Sequence, residues 1–360
     1  AALTGGEHVI AASSIPAISQ PVTIDATTEP DYLLNASRPV VAYTQGGGGS
    51  VDGFTLQAGA SGSTIRGLII RAWNGRGVVI EAGSSGNTIA GNYIGQLDET
   101  GNDAGSGGLA DYGIRVEGPS NMVGGPLASD GNVISGNGSG EGGVLVSGAS
   151  AIGNTIRNNR IGTNATGTAA IPNNLHGLRI NDAPNTQVLD NLISGNDVHG
   201  VYVFSGDATG TQILRNTIGA NGTRTGIIPN GFDGIRLEGG SGPTVIGSAG
   251  NGNVIVGSAD HGITINDSNG NTIQGNHIGT NAGGSLDLGN TDAGIYAPAF
   301  NSSNNLIGGD GAGEGNTIAF NDEGIRLESG TGNAIVGNDI FANTELGIDL
   351  VGGTENAAGV

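Results

Sequence analysis

The sequence lacks several residue types, and each absence narrows the functions open to the protein. There is no cysteine, which excludes disulfides, thiol catalysis and cysteine-ligated zinc. There is no lysine either, since all 12 basic residues are arginine, and 32 acidic residues bring the net charge to −20. Such a chain lacks the concentrated basic surface that nucleic acid requires. No apolar run reaches 18 residues, so we expect neither a nucleic-acid partner nor membrane insertion.

Aromatic side chains are also scarce, at 4% of the chain, whereas glycine supplies 72 of 360 residues. The 36% of hydrophobic residues are therefore mostly small and aliphatic, and the core cannot be built on rings. Glycine is too rare for collagen, in which it occupies every third position. The informative question is therefore whether the glycines recur at a regular spacing.

Two short motifs recur along the chain. One is Asn-x-Ile or Asn-x-Val followed closely by Gly-Asn, as in residues 87–92 and 271–276. The other is Gly-Ile-Arg-Leu-Glu or a close variant. Its starting glycines are Gly77, Gly113, Gly143, Gly177, Gly200, Gly234, Gly262, Gly294, Gly324 and Gly347. The intervals between them average 30 residues, and the shortest is 23.

Apolar and polar residues alternate within each unit, which is the pattern of a strand with one buried face. Ile235 and Leu237 would point inward, and Arg236 and Glu238 outward. An interval of 23 residues accommodates three such strands and three turns, which is one rung of a parallel β-helix. Asparagine tolerates the turns and can stack as a hydrogen-bonded ladder between rungs. The repeat therefore predicts an all-β parallel β-helix of about 12 rungs with three short strands per rung.

The longer intervals contain insertions at one kind of turn. They follow Gly95, Gly162, Gly219 and Gly279, so that loops project from alternate rungs. We predict that residues 61–360 form the β-helix and that residues 1–60 add N-terminal strands, continuous with it, that could also cap it. Because a solenoid grows along an axis, the whole chain is predicted to be one domain.

These motifs resemble those of right-handed parallel β-helix repeat proteins found among bacterial secreted and surface polypeptides. The resemblance rests on the Gly-Asn-Thr-Ile-x-Gly-Asn-x-Ile-Gly repeats, the Gly-Ile-Arg-Leu-Glu units and residues 21–32, and it spans about residues 15–350. It implies a right-handed solenoid and a secreted, extracellular or cell-surface location. The family contains lyases, hydrolases, epimerases, tailspikes, adhesins and structural proteins, so the fold does not choose the function.

Several enzyme motifs of this family are missing. Polygalacturonases use an Asp-Asp pair and a lysine, and several lyases use a lysine base, but the sequence has neither. The Asp-Pro-His of mannuronan epimerases is absent too. Residues 290–292 form the Asn-Thr-Asp of polygalacturonases and residues 261–262 form part of their Gly-His-Gly, and elimination with an arginine base remains open. The sequence therefore leaves catalytic residues unassigned and leans against an enzyme.

The outward positions of the Gly-Ile strands form a column, called here the Arg/Tyr strip. Its candidate ligand-binding residues are Arg115, Arg179, Tyr202, Arg236, Tyr296 and Arg326. Arginine offers a planar fork to carboxylates and tyrosine a flat face to sugar rings, so the strip could bind an acidic polysaccharide. The alternative is that Arg115, Arg236 and Arg326 pair with the glutamate two residues later and keep an exposed sheet soluble.

The residues just before the strand-starting glycines form a second column. On four successive rungs they are His176, His199, Asp233 and His261. At a rung spacing of about 5 Å such side chains could bind a metal or act as acid and base. The column continues with unrelated residues, which is typical of a tolerant turn, so these four are weak metal candidates. No cofactor is required, and calcium is left open because residues 308–314 faintly resemble a calcium-binding glycine/aspartate repeat.

The C-terminal strand at residues 347–350 is followed by ten small or polar residues and no amphipathic helix. Uncovered strand edges recruit other chains, so we expect either a larger surface polypeptide or end-to-end stacking of rods into a filament. The favoured function is a non-catalytic extracellular or cell-surface structural or adhesive protein. The alternatives are a polysaccharide lyase or glycoside hydrolase, and a binding module for an acidic polysaccharide.

Overall fold

A computed structural model describes residues 7–13, 16–46, 49–138, 142–299 and 301–350. Its strands form three sheets in which every strand pairs in parallel with its equivalents in neighbouring rungs. The ten residues that follow the predicted last strand lie outside this range. The described chain has one α-helix, Pro30–Leu34, and three short 3-10 segments, Ala26–Thr28, Ala58–Ala60 and Ala128–Asp130.

Each rung runs through sheet 3, then sheet 1, then sheet 2. The strands of sheet 1 are His8–Ala12, Val41–Gln45, Leu68–Arg71, Tyr93–Gly95, Val133–Ser135, Arg160–Ile161, Leu192–Ile193, Thr217–Ile218, Val254–Ile255, His277–Ile278, Thr317–Ala319 and Asp339–Phe341. The strands of sheet 2 are Phe54–Leu56, Val78–Ile80, Ile114–Val116, Val144–Ser147, Leu178–Asn181, Val201–Phe204, Ile235–Glu238, Ile263–Asn266, Ile295–Ala297, Ile325–Leu327 and Ile348–Leu350. The strands of sheet 3 are Thr23–Asp25, Thr64–Arg66, Thr88–Ala90, Met122–Gly124, Thr155–Arg157, Gln187–Leu189, Gln212–Leu214, Val245–Ile246, Thr272–Ile273, Leu306–Gly308 and Ala334–Val336.

This architecture is a right-handed parallel β-helix, and it confirms the predicted fold of about 12 rungs with three short strands each. Crossover connections between parallel strands are right-handed in nearly all proteins. As the alternation in the sequence predicts, successive side chains of each strand point to opposite faces of the sheet. Ile235 and Leu237 are fully buried, whereas Arg236 and Glu238 are only half-buried. One continuous aliphatic core therefore runs through the rod.

Buried asparagines tie the rungs together at the corner between sheets 3 and 1. The Asn191 side-chain oxygen accepts hydrogen bonds from the backbone N–H of Asn159 at 2.9 Å and from its side-chain amide at 3.0 Å. The Asn191 amide donates in turn to Asn216 Oδ1 at 3.0 Å and to the Ile156 carbonyl at 2.8 Å. Each member thus satisfies polar groups of two rungs, as predicted. The members of this ladder are Asn92, Asn132, Asn159, Asn191, Asn216, Asn253, Asn276, Asn316 and Asn338.

The glycine that opens each sheet-2 strand is required by close packing between rungs. A Cβ atom on Gly234 would lie 2.7 Å from the Gly262 carbonyl oxygen and 2.8 Å from the Ile255 side chain. Both distances are shorter than van der Waals contact, so a side chain there would force the rungs apart. This glycine therefore recurs in the sequence because the stacked rungs leave no space for a side chain there.

The predicted insertions in alternate rungs form small hairpins between sheets 1 and 2. Each is closed by one antiparallel bridge, and the bridges join Leu97 to Asp103, Thr163 to Ala170, Ala220 to Ile227 and Thr280 to Asp287. The first three stack, because Ala165 N donates to Gly101 O and Gly222 N donates to Gly167 O, both at 2.8 Å. The prediction of loops in alternate rungs is confirmed.

A second kind of insertion, which the sequence analysis missed, lengthens the corner between sheets 3 and 1. It separates Gly124 from Val133, Ile246 from Val254 and Gly308 from Thr317. In the rung that runs from Gly177 to Gly200, both corners are short.

At the N-terminal end, His8–Ala12 pairs in parallel with Val41–Gln45, so the sheets extend into the first 60 residues. With five residues in the α-helix of the described chain, no helix there has the length and hydropathy of a membrane span.

Candidate functional site

Sheet 2 carries the Arg/Tyr strip as a column of neighbouring residues. Arg179 lies opposite Tyr202, Tyr202 opposite Arg236, and Tyr296 opposite Arg326. Leu145 lies between Arg115 and Arg179 in the column, and Thr264 lies between Arg236 and Tyr296. The structure thus brings the six predicted residues onto one face but divides them into three groups.

Three of the four strip arginines are neutralised by glutamates of their own strands. Arg236 Nε lies 2.6 Å from Glu238 Oε2, and Arg326 Nη2 lies 2.7 Å from Glu328 Oε1. Arg115 pairs with its glutamate in the same way. The ion pairs of the alternative interpretation are thus present at these three positions, and they offset the positive charge of the arginines.

Arg179 is different. Among the described residues no carboxylate lies within ion-pair distance of it, and its buried Nε has no hydrogen-bond partner. Its guanidinium carbon lies 5.6 Å from the centre of the Tyr202 ring and 5.7 Å from that of Phe204. Cation–π contacts orient the guanidinium but leave its charge uncompensated. Arg179 is therefore the strip residue with a charge to offer to a ligand.

Aromatic side chains surround Arg179. The rings of His176 and His199 stack with centroids 5.1 Å apart, and Tyr202 lies 4.7 Å from His176. Phe232, from the turn before the next strand, is 50% exposed and contacts His199 edge-on. His176 and His199 are buried, so the aromatic faces open to a ligand beside the cation are those of half-buried Tyr202 and Phe204 and of exposed Phe232.

An open cleft of about 590 Å³ lies beside the platform. Phe204 and Glu238 form the side nearest the strip, and Asn266, Asp267 and Asn301 line the remainder. This cleft was not predicted from the sequence, because its lining combines the ends of three neighbouring sheet-2 strands with the turns that follow them. The cleft extends the platform with hydrogen-bonding groups suited to a polar ligand.

The histidine column has a structural role at His199. Burial, together with the nearby charges of His176 and Arg236, lowers the pKa of His199 to about 3. The neutral ring accepts a hydrogen bond at Nδ1 from the Asp233 backbone N–H at 3.2 Å. Burial also lowers the pKa of His176 to about 4, with the charges of Arg179 and Arg236 adding to the effect. These imidazoles are uncharged parts of the platform at neutral pH.

Asp233 and His261 extend the same ladder. Asp233 Oδ1 accepts from the His261 backbone N–H at 3.3 Å, and His261 Nδ1 accepts from the Ala293 backbone N–H at 3.2 Å. Burial raises the pKa of Asp233 despite nearby cations, among which Arg236 Nη1 lies 3.3 Å from Oδ2. Of the four metal candidates, only these two meet in one cluster of potential ligands, together with Asp260.

The calcium-like segment at residues 308–314 is a plain turn in the described structure. Glu314 Oε2 accepts a hydrogen bond from the Gly311 backbone N–H at 2.8 Å, so its carboxylate closes the loop. A second cluster of potential ligands, His8, Glu29 and Asp31, was not predicted, because His8 is far from the other two along the chain.

Comparison with protein families gives one partial match. Residues 227–357 match the family model described as "NosD: Periplasmic copper-binding protein (NosD)". That segment covers about a third of the chain and includes the upper half of the Arg/Tyr strip. Comparison with curated proteins gives no match.

Three solved structures with similar folds are distant from this chain in sequence. The Dettilon tailspike protein gp208 aligns with a TM-score of 0.60 at 16% identity, over 95% of this chain and 61% of that one. A mutant of the periplasmic alginate epimerase AlgG gives 0.45 at 13% identity, over 86% and 76% of the two chains. The Azotobacter vinelandii mannuronan C-5 epimerase AlgE4 A-module gives 0.35 at 13% identity, over 97% and 87%. The chain thus spans less than two thirds of the tailspike, and the likeness concerns the fold alone.

Proposed function

We propose that this chain, which is a right-handed parallel β-helix repeat protein, binds an acidic polysaccharide on sheet 2 without cleaving it, as a structural or adhesive element outside the cell. The observation that carries the proposal is the uncompensated Arg179 beside the aromatic faces of Tyr202 and Phe204. A sugar ring packs on such a platform, and its carboxylate takes the planar guanidinium fork.

The net charge of −20 limits where an acidic polymer can bind to this protein. An acidic polymer is repelled by most of the surface, so it binds only where an arginine is left unneutralised. Salt has two opposing effects on affinity: it weakens the repulsion between the polymer and the acidic surface, and it weakens the attraction between the polymer and Arg179. We therefore expect local binding at Arg179 and not along the whole strip.

The carboxylates beside the platform support binding over catalysis. Glu238 accepts a hydrogen bond from the Tyr202 hydroxyl at 3.1 Å and pairs with Arg236 at 2.6 Å. Glu117 and Glu328 are likewise engaged by Arg115 and Arg326. A general acid must be able to exchange its proton with the substrate, and glutamates held by arginines are poorly placed for this.

Copper, which appears in the name of the matched family, fits the described residues poorly. In the cluster of Asp233, Asp260 and His261, the first carboxylate faces Arg236, and His261 Nδ1 already accepts a backbone hydrogen bond. The chain has no cysteine and one methionine, so soft ligands for copper are scarce. No copper site is part of the proposal.

End-to-end association is a separate proposal. In the last described rung, Phe341, Leu346 and Leu350 are 37%, 54% and 50% exposed, which is a surface suited to another rung. Light scattering after size exclusion, over a hundredfold range of protein concentration, tests it with electron microscopy. Growth into rods supports association, and a monomer at every concentration removes it.

Polysaccharide binding is tested by screening the purified protein against pectin, alginate, glycosaminoglycans and neutral glucans, with and without calcium. We expect retention on acidic polymers only, with no new reducing ends and no unsaturated products after prolonged incubation. Product formation would support the competing lyase or hydrolase hypothesis. Absence of both binding and products would remove the proposed function.

A further inference from the structure

A second cleft, of about 190 Å³, opens at the corner between sheets 3 and 1. Arg160, Leu192 and Thr217, which lie on three successive rungs, form its floor. Ala128 and Arg224 stand at its borders. Since one ordered water needs only roughly 15 Å³, the space is large enough for a small solute.

The cleft exists because of the irregularity of the repeat. The corner is long in the rung that contains Ala128, between Gly124 and Val133, but short in the next three rungs. The hairpin that carries Arg224 projects two rungs beyond Arg160 and encloses the space from the other side. The short rung between Gly177 and Gly200 therefore leaves room where an insertion would otherwise fill it.

The cleft is unusual in so acidic a protein because two of its arginines have no carboxylate partner. Eight of the 12 arginines lie within 4.0 Å of a carboxylate: Arg66, Arg71, Arg76, Arg115, Arg157, Arg215, Arg236 and Arg326. Within the described chain four have no such partner: Arg38, Arg160, Arg179 and Arg224. Two of these four, Arg160 and Arg224, line the same cleft.

The acid in the cleft does not neutralise them. Asp190 is held by Arg215 Nε at 2.6 Å and by Arg157 Nε at 3.0 Å. Burial alone would raise the pKa of Asp190, but the contacts with these two arginines outweigh it and the pKa is lowered. Asp190 therefore stays charged and satisfied by other cations, which leaves the charges of Arg160 and Arg224 for a ligand.

Arg224 is also fixed in place. Its Nε donates a hydrogen bond to Thr217 Oγ1 at 2.8 Å, which orients the guanidinium over the floor of the cleft. The neighbouring imidazole of His277 has a pKa lowered by burial and by the charge of Arg224, so it is neutral at pH 7 and the positive charge here comes from the arginines. The side chains thus present two guanidinium groups and one hydroxyl.

We propose that this cleft binds a compact oxyanion, namely the carboxylate, phosphate or sulfate group of a small molecule or of a polymer end. Guanidinium pairs are suited to such groups because each offers a planar fork of donors. The site lies on other sheets than the Arg179 platform, so it goes beyond the polysaccharide-binding function and does not depend on it.

Isothermal titration calorimetry with inorganic phosphate, inorganic sulfate and D-glucuronate tests the proposal, with D-glucose as the uncharged control. We expect at least one of the anions to bind and glucose not to bind. Arg160→Gln and Arg224→Gln should each weaken binding at least tenfold, and the double variant should abolish it. Glucuronate is titrated in the Arg179→Gln background, which removes the arginine of the sheet-2 site. Arg115→Gln, whose arginine is paired with Glu117, is the matched control and should leave anion binding unchanged. The preferred anion distinguishes a uronic acid from a phosphate or sulfate source.

Folding of the variants is checked by circular dichroism. If Arg160→Gln unfolds, Arg224→Gln decides alone, since Arg224 lies on an exposed hairpin. Hydrogen exchange gives a second reading, because bound anion should protect the amides of residues 220–227. The proposal is overturned if none of the anions binds, or if binding survives Arg224→Gln at wild-type strength. Loss of polysaccharide retention in Arg179→Gln with anion binding intact would separate this site from the proposed function.

Discussion

The guanidinium carbon of Arg179 lies 5.6 Å from the centre of the Tyr202 ring on the next rung, and no carboxylate of the described chain pairs with it. Elsewhere on the strip a glutamate two residues along the strand neutralises each arginine, as Glu238 does for Arg236. At the corresponding position on the Arg179 strand the residue is Asn181. This single difference converts a solubilising surface into a candidate binding site.

The aromatic face of Tyr202 should matter more than its hydroxyl. Tyr202→Phe removes the hydrogen bond to Glu238 but keeps the ring, so polysaccharide affinity should stay within about twofold. Tyr202→Ala removes the stacking surface and should weaken binding about fivefold, in line with roughly 1 kcal/mol for an aromatic contact. Affinity electrophoresis in polymer-containing gels measures both. Equal losses in the two variants would contradict a stacking role.

Rung stacking predicts that one methyl group at Gly234 is disruptive. Gly234→Ala should lower the free energy of unfolding by about 1–3 kcal/mol, because its Cβ would meet the Gly262 carbonyl oxygen at 2.7 Å. Gly206→Ala is the control, since its Cβ would have no neighbour closer than 4.0 Å. Urea unfolding followed by circular dichroism compares the two. Equal midpoints would show that the rungs adjust to the added carbon.

The asparagine ladder predicts a similar contrast. Asn191→Ala leaves the buried backbone N–H of Asn159 without a partner and removes one donor from the Ile156 carbonyl, and an unsatisfied buried group costs about 1–3 kcal/mol. Asn174, an exposed asparagine on the same rod, should tolerate alanine within about 0.5 kcal/mol. Thermal unfolding of both variants provides the measurement. A stable Asn191→Ala variant would mean that water replaces the ladder.

The buried histidines predict a loss of stability in acid. His176 and His199 have folded pKa values of about 4 and about 3, below the ordinary value of 6.5, so the unfolded state binds more protons between those limits. Their contribution is intact above pH 6.5 and falls as the pH drops towards 3, by on the order of 1 kcal/mol per pH unit for each ring. A His176→Asn/His199→Asn variant should lose less stability than wild type between pH 7 and pH 5 in urea titrations. A pH dependence unchanged by the double substitution would be the contrary result.

The regular parts of the fold could be predicted from the sequence. Alternation placed Ile235 and Arg236 on opposite faces, and the spacing of the glycines gave the register that sets Arg179 beside Tyr202. These features follow from local periodicity, which every rung repeats. The same repeat also predicted that Arg236 could pair with Glu238.

The irregular parts could not be predicted in the same way. Intervals between glycine markers count residues but do not say which corner holds them, so the long corner after Gly124 was missed. The cleft at Arg160 and Arg224 was missed because these residues lie on a strand and a hairpin of different rungs. The geometry of the surrounding side chains decides which arginines lack a carboxylate partner. Arg179 is an example, because no carboxylate of the described chain lies within ion-pair distance of it.

The most direct test of polysaccharide binding at Arg179 is isothermal titration of one acidic oligosaccharide, taken from the polymer that the protein retains, into three proteins. These are the wild type, Arg179→Ala and Arg115→Ala, the last removing an arginine of the same column that is already paired with Glu117. We expect at least tenfold weaker binding for Arg179→Ala and unchanged binding for Arg115→Ala. Equal affinity of all three proteins would show that Arg179 does not bind the polysaccharide.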